Sequence, residues 1–160
     1  MRKRLIGQQP GGAPRIDEKQ WLRLDALAAV EVTSEDAAHP IESALLPGGD
    51  GSGWRAAASG EQRVRILFDT PQPVRRIRLV FEETETARMQ EFALRWSTPG
   101  EVGWREIVRQ QYNFSPTQTT TEVEDYNVHL SEVAVLELVI VPDVEHARAP
   151  ASLKQMRIAC

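Results

Sequence analysis

Three histidines, His39, His129 and His146, and two carboxylate clusters, Glu82-Glu83-Glu85 and Glu122-Glu124-Asp125, are the residues of this chain best suited to metal or acid/base chemistry. Their spacing argues against both. No two histidines stand at a ligand interval such as His-x-x-x-His. Hydrolysis by paired carboxylates needs two acids flanking one bond. Both clusters here fall at the ends or on outward faces of expected strands, where a solvated charge is the default. His39, in the loop dipeptide His-Pro, suits either a hydrogen bond to a ligand or a cap on its own loop. His129 follows Val128 on a strand and is expected to face solvent. The chain contains no Gly-x-Ser-x-Gly elbow, phosphate loop or dinucleotide fingerprint. The Gly-rich run 48–53 has no Lys-Ser/Thr after it and reads as a turn. Cys160 has no neighbouring base and is a poor nucleophile. No catalysis, metal ion or cofactor is expected.

Whatever site exists must be carried by short strands separated by turn residues, the pattern of an all-β sandwich. In Glu61–Asp69, Val64, Ile66 and Phe68 point one way and Arg63 and Arg65 the other. The turn Thr-Pro-Gln-Pro follows, since its prolines lack a ladder donor. In Val74–Glu82, Ile77, Leu79 and Phe81 face inward and Arg76 and Arg78 outward. Met89–Ser97 alternates through Phe92, Leu94 and Trp96. Trp104–Gln111, Tyr126–Leu130 and Ser152–Ala159 are further strands, and the apolar run Val133–Val141 predicts a central strand buried on both faces. Residues 1–16 read as a flexible basic tail. Residues 17–28 read as a short helix capped by Asp17 and Gln20, or as a strand lead-in through Leu22, Leu24, Ala26 and Ala28. Residues 29–160 form the domain. Trp54, Phe68, Phe81, Phe92 and Trp96 are core positions, and Trp104 packs over a hairpin. The arginines at 63, 65, 76 and 78 are expected to be balanced across strands by the acids near 122–125.

Composition excludes several classes. With 160 residues, 41% hydrophobic and 26% charged, the chain suits one ordinary globular core. Five cations against Asp17 and Glu18 put +3 on residues 1–20, so the rest carries -7 of a net charge of -4. A body this acidic is poorly made for phosphate backbones, and nucleic acid is not an expected partner. A single cysteine forms no intrachain disulfide, which favours a reducing, cytoplasmic location. The basic start lacks the apolar run of a signal peptide, and no stretch has the roughly 20 apolar residues of a membrane-spanning helix.

The stretch Val30–Gly60 (alternating strand, polar loop, Ala-Leu-Leu turn, Gly-rich bend, Trp54) resembles the opening of a discoidin or coagulation-factor C-domain, the galactose-binding-like β-sandwich family. Gly60–Asp69, Phe92–Ser97 with Gly100–Trp104, Leu136–Pro142 and Ala151–Ala159 resemble that family's later strands in the same order. The resemblance implies a discoidin-like jelly roll of about eight antiparallel strands across 29–159. Ser34–Leu46 and Trp54–Glu61 also resemble the amino-terminal domain of the X-ray repair cross-complementing scaffold protein, and the likeness fades after Phe68. Many family members bind a structural calcium at the turn before the Trp, with a Glu on the final strand. Here the turn offers one carboxylate, Asp50, and the final strand Gln155, too few hard anionic oxygens for calcium.

The family's ligand surface, three loops at one end of the sandwich, corresponds here to Ser34–Ile41, Glu82–Arg88 and Tyr112–Thr121. That implies a ligand-binding set of His39, Arg88, Tyr112, Asn113 and Phe114: aromatic area beside hydrogen-bonding groups. The function expected is a non-catalytic binding module for a protein or peptide partner. The alternative is a carbohydrate-binding module using the same three-loop end.

Overall fold

From Ala28 onward strand appears where the sequence alternates, and helix among the described residues is confined to two single turns. The computed structural model describes residues 21–48, 51–146 and 149–160. The tail 1–16, the Asp17 cap with Gln20, and Asp50 lie outside the described residues. In chain order the elements are α1 (Leu24–Leu27), β1 (Ala28–Val32), α2 (Glu42–Leu45), β2 (Trp54–Ser59), β3 (Gln62–Glu82), β4 (Arg88–Ser97), β5 (Arg105–Phe114), β6 (Thr121–Val141), β7 (Pro150–Leu153) and β8 (Gln155–Ala159). Among the described residues strand makes up 64% and helix 6%, so the expected all-β jelly roll of about eight antiparallel strands is the observed fold.

The frame is a long antiparallel ribbon of β3 and β6, paired from Gln62↔Ile140 to Glu82↔Thr121. At one end β3 lies between β1 and β6, and the layer continues through β4 to β5. At the other end Arg76–Val80 pairs with β8 on its free side. The ribbon therefore passes from one layer of the sandwich into the other. The layers meet through their inward rows, with the rings of Phe81 and Phe92 5.1 Å apart. Val64, Ile66, Ile77, Leu79, Leu94 and Trp54 are all buried, as their alternation requires. Val133–Val141 is the central strand, flanked by β3 and β4.

Three sequence expectations change. Thr-Pro-Gln-Pro is not a turn: β3 runs straight through Pro71 and Pro73. The register shifts between Leu67 and Arg76 put the two prolines at a bulged bend, where no ladder donor is required. Among the described residues of the lead-in, only Leu24–Leu27 is helical. Trp21 bridges Ala159, Leu22 N donates to Ile158 O at 2.8 Å, and Ala28 already belongs to β1. Glu122 is not a solvated strand-face charge but a buried one, 2% exposed. The cross-strand balance with the acids near 122–125 holds for Arg76, whose Nη2 lies 2.6 Å from Asp125 Oδ2, whereas Arg63 pairs with Glu61, Arg65 with Glu137, and Arg78 donates to Gln155.

The depression beside the turn and final strand, where the resemblance would place calcium, is lined among the described residues by cations of the protein. Arg157, on β8, is buried, and its guanidinium donates to Ala44 O (2.9 Å), Met156 O (3.0 Å) and Leu46 O (3.3 Å). Two of these carbonyls lie at the end of α2 and are thereby already held by a guanidinium. Arg78 and Lys154 line the same depression, and Gln155 Oε1 accepts from Arg78 Nη1 at 3.2 Å. The described residues here do not fit calcium, because hard cations need anionic or carbonyl oxygens not already held by guanidinium groups. Chelator treatment is expected to leave the melting temperature unchanged. A chelator-induced drop that calcium reverses would overturn this.

Candidate functional site

Each of the three loops is anchored to a strand or to a neighbouring loop. The loop after β1 runs beside β2: Asp36 N donates to Arg55 O (2.8 Å), and Arg55 N donates to His39 O (3.2 Å). The loop after β3 meets the loop after β5 through Glu83 N and Thr120 O at 2.8 Å. The segment following β6 joins them, with Val144 N donating to Met89 O at 2.9 Å.

Between β2 and the loop after β3 lies a cavity of about 460 Å³. Strands β2 and β7 contribute Arg55 and Ser152, the loop after β3 contributes Glu83, Glu85 and Thr86, and the segment after β6 contributes Asp143 and His146. Arg55 is exposed because its neighbour Trp54 is buried and successive strand residues point opposite ways. Among the described residues the Arg55 guanidinium makes no hydrogen bond or ion pair. Asp143 is 6% exposed. Its Oδ1 accepts from Glu145 N at 3.1 Å, and its Oδ2 lies 3.5 Å from His146 Nδ1. The cavity thus presents a guanidinium donor opposite carboxylate acceptors, with the Ser152 and Thr86 hydroxyls able to do either.

None of the residues expected from sequence lines this cavity. Arg88 is buried, with Nε 3.0 Å from Glu83 Oε1 and Nη1 donating to Pro142 O at 3.0 Å. Burial pushes its guanidinium below the ordinary arginine range, and the Glu83 carboxylate opposes that shift. Phe114 is also buried and carries the Arg88 guanidinium over its ring at 5.1 Å. Neither is placed to touch a ligand; together they tie the loop after β3 to the segment after β6. Tyr112 packs edge-on to Phe114 at 5.0 Å and donates to Thr121 O at 3.1 Å. Asn113 is exposed, and its carbonyl accepts from Thr119 Oγ1 at 3.1 Å. His39 stands beside Arg55 with Nδ1 3.4 Å from Asp36 Oδ2. Structure brings Arg88, Tyr112 and Phe114 together as one packed unit and leaves His39 on the far side, against β2.

Sequence inspection missed Arg55, Asp143 and Ser152. Arg55 was legible, since the residue after a core Trp on a strand must point outward. Ser152 carried no local signal, because it meets Arg55 only when β7 pairs with β2, and Asp143 carried none, because its segment is fastened to β4 through Val144 N and Met89 O.

No family model matches this chain, and no curated protein matches it. Solved structures do. A family 32 carbohydrate-binding module from Clostridium perfringens NanJ, in complex with galactose, superposes with a TM-score of 0.64 at 12% identity, covering 87% of this chain and 97% of its own. A second Clostridium perfringens module of that family, in complex with GalNAc-β-1,3-galactose, gives 0.63 at 13% identity, covering 88% and 99%. A pectin-binding carbohydrate-binding module gives 0.59 at 19% identity, covering 82% and 89%. At these identities the likeness establishes the fold, a galactose-binding-like discoidin-type sandwich.

Proposed function

We propose that this chain is a non-catalytic carbohydrate-binding module whose glycan enters the loop-end cavity between Arg55 and Asp143. The observation that carries the reading is the pairing of an unengaged guanidinium with a buried carboxylate in one concave site. A polyhydroxylated ligand satisfies both, since each hydroxyl donates and accepts. Similarity to carbohydrate-binding modules, whose structures contain galactose and related sugars, supports a glycan over the protein or peptide partner preferred from sequence. A protein interface would also call for a broad apolar patch. Among the described residues the exposed large apolar side chains are Val102, Trp104, Val123 and Val144. They are dispersed over the β4–β5 hairpin, β6 and the segment beyond it. His39, Tyr112 and Asn113 extend the surface around the cavity, while Arg88 and Phe114 hold its loops. A cytoplasmic location rests on the lone cysteine and is tested by fractionation.

Calorimetric titration with galactose, N-acetylgalactosamine, polygalacturonate and chitosan oligosaccharides is the direct test. Binding to at least one is expected. Arg55→Ala and Asp143→Asn should each weaken it at least tenfold, roughly 1.4 kcal/mol or more. Arg55→Ala should leave unfolding stability within about 0.5 kcal/mol, as for other exposed positions. Retention of full affinity in both variants would place the site elsewhere. Absence of binding across a broad glycan panel would reject the function.

A further inference from the structure

Beneath the loop end lies a buried polar chain that the cavity itself does not use. Glu122, at the start of β6, is 2% exposed, and its Oε2 has no hydrogen-bond donor. Its Oε1 accepts from Gln90 Nε2 at 3.5 Å. The amide of Gln90, itself fully buried, turns its Oε1 to Arg88 Nη1 at 3.4 Å. Arg88 in turn holds Glu83 and the Pro142 carbonyl, the two sides of the loop end. On the other flank the Glu124 carboxyl lies within hydrogen-bond reach of Glu122, and Tyr126 OH donates to Glu124 Oε2 at 3.1 Å.

Two carboxyl groups in contact, one of them buried with an orphaned oxygen, cannot both be ionised without a cation. A proton shared between Glu122 and Glu124 satisfies Oε2 and removes one charge. The groups facing Glu122 come from every packed element. Strand β6 supplies Glu124 and Tyr126, and β4 supplies Gln90 with Arg88 behind it. Strand β5 supplies Tyr112, cross-strand from Gln90. Strand β3 supplies only the apolar Phe81 and Leu79. Arg88 is the one cation in that set, and a single amide separates it from Glu122.

We propose that Glu122 is a proton-controlled latch on the loop end. Protonated, it bonds Glu124 and leaves Arg88 clamping Glu83 to the Pro142 carbonyl. Ionised, it draws Arg88 towards itself through Gln90, and the clamp on the loops after β3 and β6 opens. Burial first, then the Glu124 carboxylate, pushes the Glu122 carboxyl up to about 8. A fold that raises an acid's proton affinity loses that stabilisation as pH climbs from the unfolded value of 4.5 towards about 8, and levels off above it. The latch is therefore closed in weakly acidic and neutral solution and open in alkaline solution. If the cavity binds glycan as proposed, affinity should fall with the same midpoint, but the latch itself is read without any glycan.

The experiment follows the protein with ¹³C-labelled glutamate carboxyls by NMR from pH 5 to 10, beside hydrogen exchange of the amides in 83–88 and 143–146. Exchange rates are corrected for the intrinsic base dependence. Expected in the native chain are a Glu122 titration near pH 8 and a loss of at least tenfold in loop protection over the same range. Glu122→Gln should abolish that loss. Gln90→Leu should leave Glu122 titrating while the loops no longer respond, and it serves as well if Glu122→Gln folds poorly. A Glu122 titration near 4.5 overturns the proposal. So does loop protection that is indifferent to Glu122 ionisation, or that falls equally in Glu122→Gln. Failure of glycan binding with a working latch would reject the carbohydrate reading alone.

Discussion

Trp54→Ala should cost about 3–5 kcal/mol in denaturant unfolding, the range for emptying a large aromatic site in a core. Trp54 is 1% exposed, and its indole Nε1 donates to Ser34 O at 3.1 Å, so the substitution opens a cavity and strands a carbonyl together. The site also has little room to collapse. Trp54 is paired with Leu153 across β2 and β7. The preceding Gly53 sits at φ +75°, where an added Cβ would stand 2.6 Å from Leu153 O. That close approach holds the backbone against β7 and prevents it from settling into the void. At roughly 2–4 °C per kcal/mol for a domain of this size, the melting temperature should drop by about 10 °C. Trp54→Phe should recover much of the loss, because it restores apolar volume but not the Ser34 bond. A cost below about 1 kcal/mol for Trp54→Ala would remove Trp54 from the core.

Glu137→Ala is expected to be the second large effect, about 3 kcal/mol at neutral pH, at the lower end for breaking a buried ion pair. Glu137 is fully buried on the outer face of the five-stranded layer. It is bonded by Arg65 Nε on β3 at 2.5 Å and by Arg95 Nη2 on β4. The Trp104 ring covers the triad, with the two guanidinium carbons 5.8 and 5.5 Å from its centroid. The arginines are partly exposed and regain water when Glu137 is lost, which keeps the cost from rising further. Burial alone would push the Glu137 carboxyl up. The hydrogen bonds and charges of Arg65 and Arg95 prevail and hold it below the ordinary 4.5. A depressed carboxyl contributes its stability above the unfolded value and loses it as pH falls through the folded one. The difference between native protein and Glu137→Ala should therefore be full at pH 7 and shrink steadily below about pH 4.5. A pH-independent difference would mean that Glu137 acts through packing and not charge.

How far the chain could be read before folding differs from element to element. The inward rows Val64-Ile66-Phe68 and Ile77-Leu79-Phe81 were legible because a strand's side chains alternate with a period that nothing else in the chain imitates. The central position of Val133–Val141 was legible because only a strand flanked on both edges and both faces tolerates so long an apolar run. Pro71 and Pro73 misled because their missing donors matter only where the ladder has a slot for them. That slot disappears at a bulge no local pattern announces. Glu122 misled because Glu122, Glu124 and Tyr126 alternate like an exposed strand. Their burial depends on β4 lying opposite.

The site divides along the same line. The amino-acid sequence by itself determined the scaffold, the buried Trp54 and the outward turn of Arg55. Each follows from the pitch of one strand and the need of its apolar face to leave water. Only the tertiary structure decided that Arg88 and Phe114 brace the loops from within, and that Asp143, Ser152 and Glu83 close a cavity around Arg55. Those residues are brought together by the pairing of β2 with β7 and by the bend of the β3–β6 ribbon. Such contacts join segments far apart in the chain, and their geometry is set by the packing of the whole sandwich rather than by any neighbouring residue.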